Sequence, residues 1–168
     1  MTAPRWLDDE EQRAWRAYIE ASRRVIDLLE RDLQQASGLP VTYYEVLVQL
    51  SEAPGRTMRM SELARRSLSS PSRLSHAVAR MEQLGWIRRE SCPSDRRGSF
   101  AVLTDDGFRV IEEAAPGHVE SIRTHFLDHL SRDQLRQIRE IGEAVGGPLQ
   151  GERDAACDGA EAAGACDG

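Results

Sequence analysis

From Asp8 to Ser37 the chain carries one uninterrupted helical pattern, and that run constrains everything else. Trp15, Tyr18, Ile19, Val25, Ile26, Leu29 and Leu33 recur at the three- and four-residue intervals that keep side chains on one helix face. Four acids, Asp8 to Glu11, open the run, where negative charge suits the positive end of the helix dipole. Gly38 and Pro40 close it. Such a helix reaches about 45 Å at ~1.5 Å per residue. A chain of 168 residues supplies a single core. That core covers only part of so long a stripe, so a partner is expected along the rest.

Charge is distributed unevenly. The formal net charge is −6, and all 22 basic residues are arginine. Residues 55–103 hold ten arginines against four acids, a balance of +6, which leaves −12 for the remainder. A basic module inside an acidic chain is the footprint of a polyanion binder, with a solvated charged face as the alternative. No apolar run approaches the ~20 residues of a membrane span, and "MTAPRWLDDEEQ" is no signal peptide. A cytoplasmic protein with no membrane association is expected. Three cysteines, Cys92, Cys157 and Cys166, do not make a disulfide framework.

Further along, residues 42–52 read as a second helix capped by Thr42. "APGR" reads as a turn and "TMRM" as a very short strand. Ser61 caps a short helix, "SELARRS". Ser70 then caps a helix that starts at Pro71 and stops at the C′ glycine Gly85. "WIRRES" and "SFAVLT" read as strands around a "CPSDRRG" loop. Thr104 starts a long helix, kinked at Pro116-Gly117, that runs to about Leu130. Ser131 caps a last helix to about Val145. Residues 146–168 are rich in Gly, Ala and Asp and read as a disordered tail.

The helix from Pro71 has two distinct faces. At about 100° per residue, Leu74, Ala77, Val78, Met81 and Leu84 form a core stripe, with Ser72, Arg73, Ser75, His76, Ala79 and Arg80 opposite. Hydroxyls, an imidazole and guanidiniums on a short-chained face suit base edges in a major groove. With the short helix before it, this makes a helix-turn-helix. Arg65, Arg66 and Ser70 would lie against phosphate, and Arg80 against base or phosphate. The following hairpin is a wing. Its loop arginines, Arg96 and Arg97, would reach the narrow, negative minor groove. Asp95 would hold the Arg97 guanidinium in place rather than touch DNA.

These residues resemble the MarR family of bacterial winged-helix regulators. The family's hairpin signature is Asp-x-Arg, three residues, then Val-x-Leu-Thr-x-x-Gly. Here it reads from Asp95 through Arg97, Ala101, Leu103 and Thr104 to Gly107, with Ala101 in place of Val. "SELA" and "SSPSRLSHAVARMEQLGWIRR" fit the helix-turn-helix. Leu68 departs from the glycine many members carry in the turn. The resemblance implies a mainly α fold with a small antiparallel β-hairpin wing. It implies a winged helix-turn-helix over residues 41–103 and a helical dimerisation region over 8–40 and 104–145. It also implies a homodimer on a pseudo-palindromic double-stranded DNA operator, commonly a repressor released by a small ligand.

Candidate sensors are fewer. Trp15, Tyr18, Tyr43 and Tyr44 would line a pocket for a small aromatic effector between the two regions, or serve as core and dimer residues. His125 and His129 have a chelating i,i+4 spacing, but His118 to His129 spans roughly 16 Å of helix axis, beyond one ion. No metal or cofactor is expected. Cys92 at the wing's base is an ordinary thiol or a redox-sensitive one. No HExxH, P-loop, GxSxG or CxxC pair occurs, so an enzyme is not expected. The competing reading is a winged-helix protein-interaction module without specific DNA binding.

Overall fold

A computed structural model describes residues 3–67, 71–92 and 95–163, with side chains described at 3–67, 72–91 and 99–147. The elements are α1 (Asp9–Ser37), α2 (Val41–Glu52), β1 (Thr57–Arg59), α3 (Met60–Arg66) and α4 (Pro71–Gln83). Then come β2 (Ile87–Cys92), β3 (Asp95–Leu103), α5 (Asp105–His125) and α6 (Arg132–Ala163). Short 3-10 turns occupy Pro54–Arg56 and Leu127–His129.

The long first helix starts and stops where its sequence says. Asp8 Oδ1 accepts from the Glu10 and Glu11 amides at 2.8 Å, and Glu11 Oε2 accepts from the Asp8 amide at 2.9 Å. This reciprocal capping box satisfies amides the helix cannot. Gly38, at φ 69°, ends α1 in the left-handed region, its N–H bonded to the Gln34 carbonyl. Thr42 does not cap α2. Pro40 precedes that helix with φ −61° and no side-chain cap, and its carbonyl accepts from the Tyr43 and Tyr44 amides. Ser61 likewise lies inside α3, which follows β1 directly with Arg59 at the cap position.

The three strands form one antiparallel sheet in the order β1-β3-β2. Met58 pairs with Ala101, and Ala101 in turn with Arg89. Ala101 is fully buried, so the short side chain sits where the sheet meets the helices. The core gathers Leu47 and Leu50 of α2, Leu63 of α3, Leu74, Val78 and Met81 of α4, and Ile87 and Leu103 of the sheet.

Pro116 does not break its helix; α5 is continuous from Asp105 to His125. Packing on both sides of the proline holds it: Ala114 is buried, His118 lies against Tyr44, and Ser121 meets α1. The helix ends instead at Phe126, whose φ −138° and ψ −63° leave the helical region. Ser121 Oγ donates to Asp32 Oδ2 at 2.6 Å, and His125 Nε2 lies 2.8 Å from the same oxygen. This polar knot ties the last turns of α5 to α1. The two hydrogen bonds hold the Asp32 carboxyl below its usual pKa range.

The last helix has its own capping box, Ser131 with Gln134. It differs from expectation at the far end, running to Ala163 rather than giving way to a disordered tail at Gly146. Gly146, Gly147 and Pro148 read as breakers, whereas the segment beyond them is rich in alanine, the strongest helix former. No helix among the described residues is long and apolar enough to cross a membrane.

Candidate nucleic-acid interface

The helix pair α3–α4 is seated by a few apolar side chains. Leu63 anchors α3, while Leu74, Ala77, Val78 and Met81 anchor α4, all buried. Leu84, expected on this stripe, lies past the end of α4 and is 40% exposed. With that face committed, the opposite one turns outward. Ser72, Arg73, Ser75, His76 and Arg80 are all exposed on α4. Arg80 Nη1 donates to Gln83 Oε1 at 3.0 Å. On α3, Arg65 and Arg66 both pair with Glu62; Arg66 Nε reaches Glu62 Oε1 at 2.6 Å. Both arginines are substantially exposed, so such pairs exchange readily for a phosphate.

Two residues outside the sequence reading fix the wing to this helix. Arg89 of β2 donates from Nη2 to the Ser75 carbonyl at 3.2 Å, across the α4–β2 boundary. Its backbone N–H donates to Glu82 Oε1 at 3.2 Å, and its Nε lies 3.5 Å from Glu82 Oε2. The brace joins the helix at both ends of its outward face. An arginine beside an acid on a neighbouring element carries no periodic signal, so sequence gives no cue to it.

At the wing's base the chain crosses itself closely. Thr104 Oγ1 is 2.7 Å from the Gly85 carbonyl and 3.0 Å from the Trp86 carbonyl, and accepts from the Gly107 amide at 3.0 Å. The Thr104 amide also donates to the Trp86 carbonyl, at 3.0 Å. A Cβ on Gly107 would stand 2.2 Å from that oxygen and 2.8 Å from Leu103 Cδ1. Only glycine lets the first turn of α5 lie this close to the strand entry. Gly85 itself turns with φ 77°, the predicted C′ glycine.

The wing differs from the sequence expectation in extent. Strand β3 begins at Asp95, paired with Cys92, so Asp95, Arg96 and Arg97 belong to a strand rather than to a free loop. The register jumps between Ser91, paired with Ser99, and Cys92. Residues 96–98 therefore form a bulge, a device that twists and bends a hairpin. Beyond "SFAVLT" the strand pairing is that of Asp95 with Cys92. The side chains of Asp95, Arg96 and Arg97, the Cys92 thiol and all of Ser70 and Leu68 lie outside the described residues.

A cavity of ≈ 360 Å³ opens behind the interface, between α1, α2 and α5. Tyr44 lines it, together with Glu45, Gln49 and His118. Burial pushes the Tyr44 phenol up and the His118 imidazole down; burial, then the charge of Glu30, pushes the Glu45 carboxyl up. The other three aromatics of the expected pocket are elsewhere. Trp15 and Tyr18 stand outward on α1, 56% and 60% exposed, tilted against each other with ring centroids 6.5 Å apart. They lie about three and about two turns N-terminal to Ile26, which does line the cavity. Tyr43, on another side of α2, packs against the core. His129 is exposed in the turn after α5, and no three potential metal ligands cluster among the described residues.

Comparison with known proteins agrees with this geometry. The MarR family profile matches residues 37–98. Sco3205, a MarR family regulator from Streptomyces coelicolor solved in complex with DNA, is 51% identical. Its match covers 87% of this chain and 92% of that one at a TM-score of 0.82. The chain belongs to the MarR family. AbsC, also from Streptomyces coelicolor, is 46% identical, with 88% and 99% of the two chains covered and a TM-score of 0.81. The regulator HosA of Escherichia coli O111:H- is 32% identical over 98 residues, 58% of this chain and 70% of HosA.

As a MarR-family member the protein is a transcriptional regulator with a winged-helix fold, and not an enzyme. The family signature also acquires a physical meaning here. Its Thr and Gly, Thr104 and Gly107, are the two residues that let wing, recognition helix and α5 meet at one point.

Proposed function

We propose that the protein acts as a homodimer on a pseudo-palindromic operator in double-stranded DNA, as a repressor released by a small ligand. Ser72, Arg73, Ser75 and His76 read base edges from α4, and Arg80 touches base or phosphate. Arg65, Arg66 and Ser70 hold phosphate. Arg97, oriented by Asp95, enters the minor groove with Arg96 beside it. The observation that carries the reading is the outward face of α4, polar and short-chained, while Leu74, Ala77, Val78 and Met81 on the opposite face are buried. The DNA complex of Sco3205 supports it by likeness.

Dimerisation is supported by apolar surface the single chain leaves uncovered. Of the 29 residues of α1, Leu33 alone is buried. Trp6, Trp15, Tyr18 and Ile26, and on α6 Ile138, Ile141 and Val145, are exposed. Monomers seldom carry so much, and a stable dimer needs about 1,200–2,000 Å² of buried surface. The cavity between α1, α2 and α5 is the effector site of this reading, with Tyr44 its aromatic wall.

The test combines mass and affinity. Light scattering should give twice the 18.8 kDa chain mass. Gel shifts on selected DNA should weaken in Arg97→Ala and Asp95→Ala. The former should flatten the log–log salt slope by about one phosphate equivalent. Equal affinities for wild type and both variants, or affinity without a salt slope, would overturn the reading.

A further inference from the structure

The cavity between α1, α2 and α5 carries a chemistry that selects its occupant. Ile26 and Leu29 of α1 and Val41 and Val48 of α2 give it apolar walls, and ≈ 360 Å³ suits a single-ring molecule. Its polar groups are unusual. Gln49 Oε1 and His118 Nδ1 are buried, without a hydrogen-bond partner among the described residues. A carbonyl oxygen only accepts, so Gln49 asks for a donor. Its neighbour one turn back, Glu45, is a second acceptor, half-buried and close enough to Glu30 to feel its charge.

Arg66 and His118 are the basic residues on these walls, and neither offers an anion a buried positive charge. His118 is kept neutral by burial against Tyr44, ring centroids 4.6 Å apart. Arg66 reaches the rim from α3, where its side chain is 57% exposed, so water screens its charge, and it already neighbours Glu62 Oε1 at 2.6 Å. A carboxylate here would lie beside Glu45 with no desolvated cation to offset it, which like charges at short range oppose.

We infer that this cavity binds a single-ring apolar molecule bearing an N–H donor, an amine or amide, and discriminates against carboxylates. The inference rests on the effector reading above and deepens it. Glu45 takes an ammonium, Gln49 an N–H of either class, and the neutral His118 ring completes the hydrogen bonding. Arg66 links the cavity to the interface, since it belongs both to the rim and to the phosphate-facing surface of α3.

Three probes with one ring and different head groups test this on the full chain: benzylamine, benzamide and benzoate. Calorimetry at neutral pH should rank benzylamine and benzamide at least about tenfold tighter than benzoate. Glu45→Gln should cost benzylamine most of its advantage and leave benzamide within about threefold. Gln49→Leu should weaken benzamide about tenfold. Circular dichroism of each variant separates these losses from misfolding. Benzoate binding as well as benzylamine, or silence with all three probes, overturns the inference. Selective amine binding that leaves DNA affinity unchanged would uphold the ligand class and sink the effector reading instead.

Discussion

Replacing Gly107 by alanine tests whether the wing's base is held as tightly as the geometry says. The new methyl would stand 2.2 Å from the Trp86 carbonyl oxygen and 2.8 Å from Leu103 Cδ1. Relief needs a retreat of about 1 Å between α5 and the start of β2. The oxygen is backbone and already accepts from the Thr104 amide at 3.0 Å, so it cannot swing aside. Thr104 moves with α5 and also gives up its 2.7 Å contact to the Gly85 carbonyl. Overpacking costs about 1–3 kcal/mol, and two weakened hydrogen bonds about 1 kcal/mol each. Alanine returns up to ~1 kcal/mol in helix propensity. The net is a loss of about 2–4 kcal/mol, a large share of a domain's ~5–15 kcal/mol. Urea unfolding followed by far-ultraviolet circular dichroism measures it, at matched protein concentration because a dimer's stability depends on it. A change below about 1 kcal/mol would show that the crossing is softer than the contacts imply and refute the reasoning.

Other consequences are smaller. Arg89→Ala removes the side-chain contacts to the Ser75 carbonyl and to Glu82 Oε2, leaving the backbone bond to Glu82, and should lower DNA affinity roughly three- to tenfold with little change in melting temperature, read by fluorescence anisotropy; an unchanged affinity would make the brace incidental. Arg73→Ala on the outward face of α4 should cost about 1–3 kcal/mol of discrimination at one base position and relax preference there, which selection from a randomised DNA pool would register. His118 is held neutral by burial, so its native pKa lies below the unfolded value of about 6.5. The unfolded chain then binds the extra proton first, and stability is full above about pH 6.5 and declines as pH falls toward the native value. Melting temperatures of wild type and His118→Gln should therefore converge on acidification; parallel curves would assign the acid sensitivity to other groups.

Elements whose cause is local could be read in advance. Asp8 and Glu11 cap α1, Gly38 and Gly85 end their helices, and the stripe through Leu74, Val78 and Met81 buries as its period requires. The readings that failed were decided by something remote or by competition between signals. Pro116 reads as a kink or an interruption, yet the helix continues through it to His125, and past the proline His118 and Ser121 contact α2 and α1. Thr42 reads as a cap until Pro40 takes the position. Asp32 joins Ser121 and His125 across 89 and 93 residues, a separation no periodicity spans.

The same division explains the effector region. Of the aromatics expected in an effector pocket, Tyr44 lines the cavity, whereas Trp15 and Tyr18 are exposed on α1. Glu45 and Gln49 carry no such signal in the sequence, because polar residues on a helix are normally solvated, and it is the packing of α1 and α5 beside α2 that makes them line a cavity. A binding site of this kind is created by packing, so its polar members look like surface until the fold closes over them. The recognition face of α4 is the reverse case. It stays on the surface, its chemistry is the chemistry of its own sequence, and the fold's contribution is to bury the opposite stripe and brace it through Arg89. The face proposed to read DNA is therefore legible from one helix, while the cavity proposed for the ligand requires three.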